Sequence, residues 1–212
     1  MAESRTDYWE WTFSGEATNH HYLVPAVIKA LRASGAKRVL DIGCGNGALT
    51  AKVAQAGFEV AGIDFASSGI NRARESFPEL EFFDGDISDP LPAQLHGSFD
   101  TVMSAEVIEH LFLPRMLFTR AREALGTSGN IVVTTPYHSY FKNLALAVTN
   151  KFDTHWQTLG DFGHIRFFSE STLGTMAKGC GFEPVAWARA GRIPALAATM
   201  VMTASLSDRA TQ

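Results

Sequence analysis

The stretch Val39-Leu40-Asp41-Ile42-Gly43-Cys44-Gly45-Asn46-Gly47-Ala48 restricts the fold of this chain more than any other. It runs from a buried apolar strand, through three alternating glycines, into a helix beginning near Ala48. Glycine is needed where φ is positive or where a Cβ would keep a ligand off the backbone, and a helix start supplies unpaired N–H groups. Gly43, Gly45 and Ala48 satisfy the G-x-G-x-x-G/A spacing of dinucleotide sites, whereas Asp41, Gly43, Gly45 and Gly47 read as D-x-G-x-G-x-G. The second reading accounts for one more residue. An acid at the carboxyl end of a buried strand is costly without a partner; a cationic amino-acid group or a hydrogen-bond donor supplies one, and a pyrophosphate would be repelled.

Around this loop, short apolar runs alternate with helical segments, the pattern of a parallel sheet with crossover helices. The runs are Arg38 to Ile42, Phe58 to Ile63, Leu80 to Phe83, Phe99 to Ser104 and Asn130 to Thr135, each separated by enough residues for a crossover. After Gly181, Phe182 to Ala190 and Leu196 to Ser205 are joined only by Gly191-Arg192-Ile193-Pro194, so that pair is antiparallel. Tyr22, Leu23, Val27, Ile28 and Leu31 share one helical face ahead of the first strand. Residues 1–36 thus read as a helical segment, and Tyr8, Trp9 and Trp11 either form a lid or staple the terminus to the sheet.

The bulk numbers narrow the partner. With 212 residues, 46% apolar and 19% charged, the chain reads as one domain spanning 1–212. Eighteen Lys and Arg against 22 Asp and Glu give a net charge of −4, so no global field recruits nucleic acid or anionic lipid, and a small neutral or amphiphilic molecule is the expected partner. The acidic start Met1-Ala2-Glu3-Ser4-Arg5 does not read as a signal peptide, and no apolar stretch is long enough to span a bilayer. Cys44 and Cys180 are too few for a disulfide framework, which points to a reducing cytoplasm.

Two further acids sit where an adenosine would need them. Asp64 closes the second strand, the place where a carboxylate takes both ribose hydroxyls. Asp86, in Asp84-Gly85-Asp86-Ile87, can accept from an adenine amino group while Ile87 covers the ring, although the segment reads equally well as a polar turn. Through Asp41 to Gly47, Asp64, Asp86-Ile87 and Phe99-Asp100, the sequence resembles the class I S-adenosylmethionine methyltransferases over nearly its whole length. That resemblance implies a Rossmann-like α/β three-layer sandwich with strand order 3-2-1-4-5-7-6 and an antiparallel last strand. It also implies S-adenosylmethionine as cofactor. Asp41, Gly43, Cys44, Gly45 and Gly47 would meet its amino-acid half, Asp64 and Phe65 the ribose side, and Asp86, Ile87 and Ala105 complete the cofactor set. Some relatives hold the cofactor carboxylate with an arginine before the first strand, where this chain offers Asn19, His20, His21 and Tyr22.

After the fourth strand comes Ser104-Ala105-Glu106-Val107-Ile108-Glu109-His110-Leu111. If it opens a helix, Glu106, Glu109 and His110 lie at i, i+3 and i+4 on one face. Two carboxylates and an imidazole suit a divalent ion such as Mg²⁺, Mn²⁺ or Zn²⁺; equally, acids in a first helical turn favour the dipole and face water. Glu-x-x-Glu-His at this position is similar to the ubiquinone-biosynthesis O-methyltransferases and the small-RNA 2′-O-methyltransferases. In the latter the motif binds a divalent ion with a further histidine from beyond the fifth strand, a role the resemblance gives to His164 in Asp161-Phe162-Gly163-His164, with His138 competing.

Methyl transfer from a sulfonium needs an in-line oxygen, so positioning dominates, and an ion would lower the pKa of a bound hydroxyl and favour a catechol-like or diol acceptor. Without an ion, His110 or His164 is the candidate general base. The insertion over 137–165 mixes Tyr137, Tyr140, Phe141, Leu144, Leu146 and Val148 with Lys142 and Lys151; it reads as a cap over an apolar substrate, a peripheral membrane contact, or a helix packed on the sheet. A nicotinamide-dependent oxidoreductase shares the glycine loop and Asp64 but has no use for Asp41 or the Glu106 to His110 cluster. An RNA-end 2′-O-methyltransferase is opposed by the acidic balance.

Overall fold

Strand β1 (Arg38–Ile42) is alternately inserted into two separate cores: Val39 packs on one side of the sheet, Leu40 and Ile42 on the other. The same alternation repeats in β4 (Thr101–Ala105), β5 (Asn130–Pro136) and β7 (Thr199–Leu206), and it explains why these strands read as continuous apolar runs. The computed structural model describes residues 17–153, 163–191 and 196–207. Within them, β2 (Glu59–Asp64), β3 (Glu81–Asp84) and β6 (Phe182–Ala190) complete a seven-stranded sheet of order β3-β2-β1-β4-β5-β7-β6. β1 to β5 pair in parallel, and β7 runs antiparallel to both β5 and β6. This is the expected Rossmann-like sandwich.

Helices cover both faces. On one, α1 (His20–Ala33) and α2 (Ala48–Gln55) bring Leu23, Val27, Leu31, Leu49 and Val53 against Val39, Met103, Val132 and Val201. On the other, α4 (Arg115–Leu125) and α6 (Glu170–Gly179) bring Leu117, Phe118, Ala121, Leu173 and Ala177 against Leu40, Val102, Ile131 and Met200. α3 (Ser67–Ser76) packs Ile70 and Ala73 on Phe82. α5 (Tyr140–Val148) stands apart, with none of its residues fully buried. Among the described residues no helix is long and apolar enough to cross a membrane.

Because β1 has β2 on one side and β4 on the other, the connections leave in opposite directions and open a crevice at the carboxyl ends of β1 and β4. Ser104 ties those ends together by donating to the Ile42 carbonyl at 2.8 Å. At the opposite ends, Asp100 accepts from the amides of Lys37 and Arg38 at 2.9–3.1 Å. The aromatic lid candidates Tyr8, Trp9 and Trp11, and the segment from Trp156 to Phe162, lie outside the described residues.

Candidate functional site

The glycine loop occupies the crevice. Gly43, Gly45 and Gly47 have φ of 85°, 55° and 75°, in the left-handed region that side chains avoid. A Cβ on Gly43 would overlap Val107 Cγ2, so this position needs glycine for space as well as for conformation. The loop is anchored by backbone: the amides of Gly43 and Cys44 donate to the Ile63 carbonyl at 2.8 and 3.2 Å. Gly47 caps α2, and the Asn46 side chain accepts from the Ala48 amide at 3.2 Å.

Asp64 binds this loop before any ligand arrives. Its two carboxylate oxygens accept from the Gly45 and Ala66 amides, each at 2.8 Å. Burial raises its pKa, against the pull of those amides. Asp41 is the contrasting acid. It is 1% exposed; Oδ2 accepts from the Thr50 hydroxyl at 2.7 Å, and Oδ1 has no partner. Desolvation pushes its carboxyl up to about 7, the Thr50 bond opposing and the nearby Asp64 charge adding to the shift. An orphaned buried oxygen next to a glycine cradle fits the ammonium of an amino-acid cofactor. Cys44 is buried, its thiol pKa raised well above the ordinary value first by desolvation and then by Asp64 and Asp41, so it lines the loop as an uncharged group. Phe65 is 38% exposed next to Asp64, Ile87 is half-buried against the core, and Asp86 accepts from the Ser88 amide at 2.7 Å. The Asp86 segment is therefore a side-chain-closed turn, which leaves the adenine role compatible with it.

At the end of β4 the structure corrects one expectation. No helix opens at Ser104: β4 continues to Ala105, Glu106 takes φ 56°, and a three-residue 3-10 turn, Ile108–His110, precedes α4. The reason is lateral capture. The Glu106 amide donates to the carbonyl and hydroxyl oxygens of Thr134, both at 3.1 Å, and its carboxylate Oε1 accepts from Thr134 at 2.8 Å and Thr199 at 3.1 Å. Glu106 is thus held by β5 and β7; its carboxylate is not among the ligand atoms that Glu109, His110 and His164 bring together, although it remains an electrostatic neighbour of Glu109. Burial moves its carboxyl up to about 7, with the two threonines and Lys142 opposing.

The remaining three candidates do meet. Glu109, His110 and His164 offer ligand atoms that lie within 4.8 Å of one another. Glu109 is fully buried; Oε2 accepts from Thr135 at 2.9 Å, while Oε1 has no hydrogen bond and lies 4.0 Å from His164 Nε2. Desolvation, then the neighbouring Glu106, holds the Glu109 carboxyl well above its usual range. His110 Nδ1 lies 3.3 Å from the Gly163 carbonyl and its ring meets that of His164 edge-on, centroids 4.8 Å apart. The segment from Gly163 is laid over the turn by the Ile165 and Arg166 amides, which donate to the Glu109 carbonyl at 3.0 and 3.1 Å, and by Arg166, whose side chain donates to the Leu111 and Phe112 carbonyls. Ligands about 2.1 Å from a shared ion lie at most roughly 4.2 Å from one another, so a divalent ion requires the widest pair of these atoms to close by at least roughly 0.6 Å. His138 is not in this cluster. It lines a cleft of about 670 Å³ with Asn143, Phe152, Phe167, Phe168, Ser169 and Thr172.

The sequence reading missed the residues that hold these acids: Thr50 on Asp41, Thr134 and Thr199 on Glu106, and Thr135 on Glu109. The tandem hydroxyls Thr134-Thr135, at the carboxyl end of an otherwise apolar strand, were the available signal. Val107 was also missed; it roofs Gly43 and joins the two halves of the site.

A glycine cradle, a strand-end acid bound to it and the sheet order with antiparallel β7 together define the fold of the S-adenosylmethionine methyltransferases. A family model described as "Methyltransferase domain" matches residues 8–186, and the chain belongs to that family. The chain is 30% identical over 154 residues to a ubiquinone biosynthesis O-methyltransferase of Idiomarina loihiensis, covering 71% of this chain and 63% of that protein. It is 32% identical to a protein of the same name from Chromobacterium violaceum, covering 70% of each. The chain thus spans less than two thirds of the first of these relatives. In fold it is similar to magnesium protoporphyrin IX methyltransferase from Synechocystis with bound S-adenosylhomocysteine, at TM-score 0.64, 20% identity, 87% of this chain and 82% of that one. It is likewise similar to a Burkholderia thailandensis 1,6-didemethyltoxoflavin-N1-methyltransferase, at TM-score 0.62, 20% identity, 87% of this chain and 77% of that one.

Proposed function

We propose that the chain transfers a methyl group from S-adenosylmethionine to an oxygen of a small hydroxylated molecule, catechol- or diol-like, with help from Mg²⁺, Mn²⁺ or Zn²⁺. The observation that carries this reading is the pairing of two orphaned buried carboxylate oxygens at one crevice: Asp41 Oδ1 beside the glycine loop and Glu109 Oε1 beside two imidazoles. The first suits the ammonium of the cofactor, the second a divalent cation.

In this reading Gly43, Gly45 and Gly47 admit the amino-acid half of the cofactor to bare backbone, and Asp64, pre-aligned by two amides, takes the ribose hydroxyls. Glu109, His110 and His164 would hold the ion, and its chemistry would be to lower the pKa of an acceptor hydroxyl. A neutral imidazole that donates through Nδ1 presents Nε2 as its acceptor nitrogen, so the Gly163 carbonyl beside His110 Nδ1 sets the ring for ligation. Glu106 can join these ligands only by exchanging its bonds to Thr134 and Thr199. The cleft bounded by His138 and Phe167 gives the acceptor an apolar wall. The names of the relatives support oxygen as the methylated atom.

Calorimetry with S-adenosylhomocysteine, followed by turnover on catechol-type acceptors before and after exhaustive chelation, tests both parts. The expected result is cofactor affinity indifferent to chelation and turnover lost, then restored by the added ion. Absence of S-adenosylhomocysteine binding overturns the reading as a whole. Turnover that survives chelation overturns the metal and returns His110 and His164 to the role of general base.

A further inference from the structure

The three side chains that meet beyond β4 are not held alike. Glu109 and His110 sit on one 3-10 turn, and Glu109 is wholly buried. His164 comes from a stretch, residues 163–169, that is neither helix nor strand, and its side chain is 38% exposed. An exposed imidazole on irregular backbone gives up rotamer and chain freedom to stand beside Glu109, so its place depends on whatever fixes the backbone that carries it.

The hydrogen bonds show what does. The Ile165 and Arg166 amides donate to the single Glu109 carbonyl at 3.0 and 3.1 Å. The Arg166 side chain then reaches past the turn: Nε donates to the Leu111 carbonyl at 2.9 Å and Nη2 to the Phe112 carbonyl at 2.7 Å. The planar fork of a guanidinium matches two successive carbonyls, where an ammonium, a point charge, is a poor substitute. Arg166 thereby clamps the chain directly after His110 to the chain directly after His164. Its charge makes the placement informative. A fixed cation this close to a site for a divalent cation repels the ion, so a benefit of Arg166 to ion binding comes through geometry and has the opposite sign to the effect of its charge.

We infer that Arg166 is a positioning residue for the cluster: its clamp on the Leu111 and Phe112 carbonyls holds His164 at Glu109 and His110. The inference rests on the proposed ion site for its purpose and on metal-free geometry for its contacts, and the experiment separates the two. Mn²⁺ is titrated calorimetrically into the wild type, Arg166→Gln, His164→Ala and the double variant. Arg166→Gln should bind Mn²⁺ tenfold to a hundredfold more weakly, with affinity for S-adenosylhomocysteine unchanged, and should cost nothing further in the His164→Ala background. Arg166→Lys, which keeps the charge and one of the two bonds, should fall between wild type and Arg166→Gln, and it replaces the glutamine variant if that one does not fold. In the metal-free wild type a nuclear Overhauser contact should link the ring protons of His110 and His164, whose centroids are 4.8 Å apart, and it should vanish in Arg166→Gln. Ion affinity in Arg166→Gln equal to or above that of the wild type overturns the inference, since loss of charge alone has that sign. So does a full additional loss in the double variant, which marks a general weakening of the fold. If the wild type binds no Mn²⁺, the proposed ion fails and the ring contact decides alone: its survival in Arg166→Gln overturns the clamp, and its loss upholds it.

Discussion

The two halves of the crevice are built from different materials. On the side we assign to the cofactor the fixed points are backbone: three left-handed glycines, amides of Gly43 and Cys44 on Ile63, and amides of Gly45 and Ala66 on Asp64. On the side we assign to the acceptor they are side chains drawn from three remote stretches, with Glu109 and His110 after β4, Thr135 at the end of β5 and His164 beyond the insertion. Each half keeps one buried carboxylate oxygen unpaired, Asp41 Oδ1 and Glu109 Oε1, but the first stands beside a cradle fixed by backbone amides and the second in a cluster whose geometry depends on side chains from distant stretches. The difference predicts that the halves fail separately, and failing together is the result that would dissolve it.

The largest effect is expected from Glu109→Gln, which keeps an oxygen for Thr135 and removes the charge. Turnover should fall on the order of a hundredfold to a thousandfold, while calorimetric affinity for S-adenosylhomocysteine is unchanged. In metal-free buffer near neutral pH the variant should melt above the wild type, because a carboxyl that ionises far more readily unfolded than folded has been replaced by a neutral amide. Equal losses in cofactor affinity and turnover would show that the halves are one unit.

Asp64→Ala attacks the other half. It deprives two buried amides of their acceptor and removes the proposed ribose contact, so S-adenosylhomocysteine should bind tenfold to a hundredfold more weakly, about 1.5–3 kcal/mol. Affinity of the cluster for Mn²⁺, followed by titration of the same variant, should not move. An unaltered calorimetric affinity removes Asp64 from the cofactor site.

The same division decides what the sequence discloses. β1 with its glycine loop is legible because each glycine is a local requirement of the chain that carries it, and strand bounds such as Arg38–Ile42 and Phe182–Ala190 follow from apolar runs and a short link. Glu106 is not legible. Its spacing to Glu109 fits a helical face, but two hydroxyls from β5 and β7, 28 and 93 residues away in the chain, twist it into φ 56°. A local period has no knowledge of a lateral hydrogen bond, and at this strand end the lateral bond wins. His164 came through family likeness alone, since no local pattern links it to residues more than fifty positions earlier.

A smaller effect should come from proton concentration. The Asp41 carboxyl, raised to about 7, is roughly one tenth ionised at pH 6 and nine tenths at pH 8. A cofactor ammonium binds the ionised form, so affinity for S-adenosylhomocysteine should climb with pH, approaching tenfold across that range. Asp41→Asn should flatten the profile at low affinity. If the variant keeps the wild-type slope, the titrating group is elsewhere and Asp41 belongs to the packing of Thr50 alone.

The smallest effect tests whether Glu106 belongs to either half. Thr199→Val removes the 3.1 Å bond to Glu106 Oε1 with little change of shape and leaves the 2.8 Å bond from Thr134. The loss should be about 1 kcal/mol, a drop of roughly 2–4 °C in melting temperature for a chain of this size. The Thr199 bond favours the ionised carboxyl, which desolvation has moved up to about 7. Removing it raises that pKa further, so the variant should be more destabilised at pH 8 than at pH 6, where the group is already mostly protonated in both proteins. Cofactor affinity and turnover at pH 6 should match the wild type, as a carboxyl that braces β4 against β5 and β7 requires. A fall in turnover comparable to that of Glu109→Gln, with stability intact, would instead place Glu106 in the acceptor cluster as the fourth ligand implied by Glu-x-x-Glu-His, reached by exchanging threonine hydroxyls for a cation.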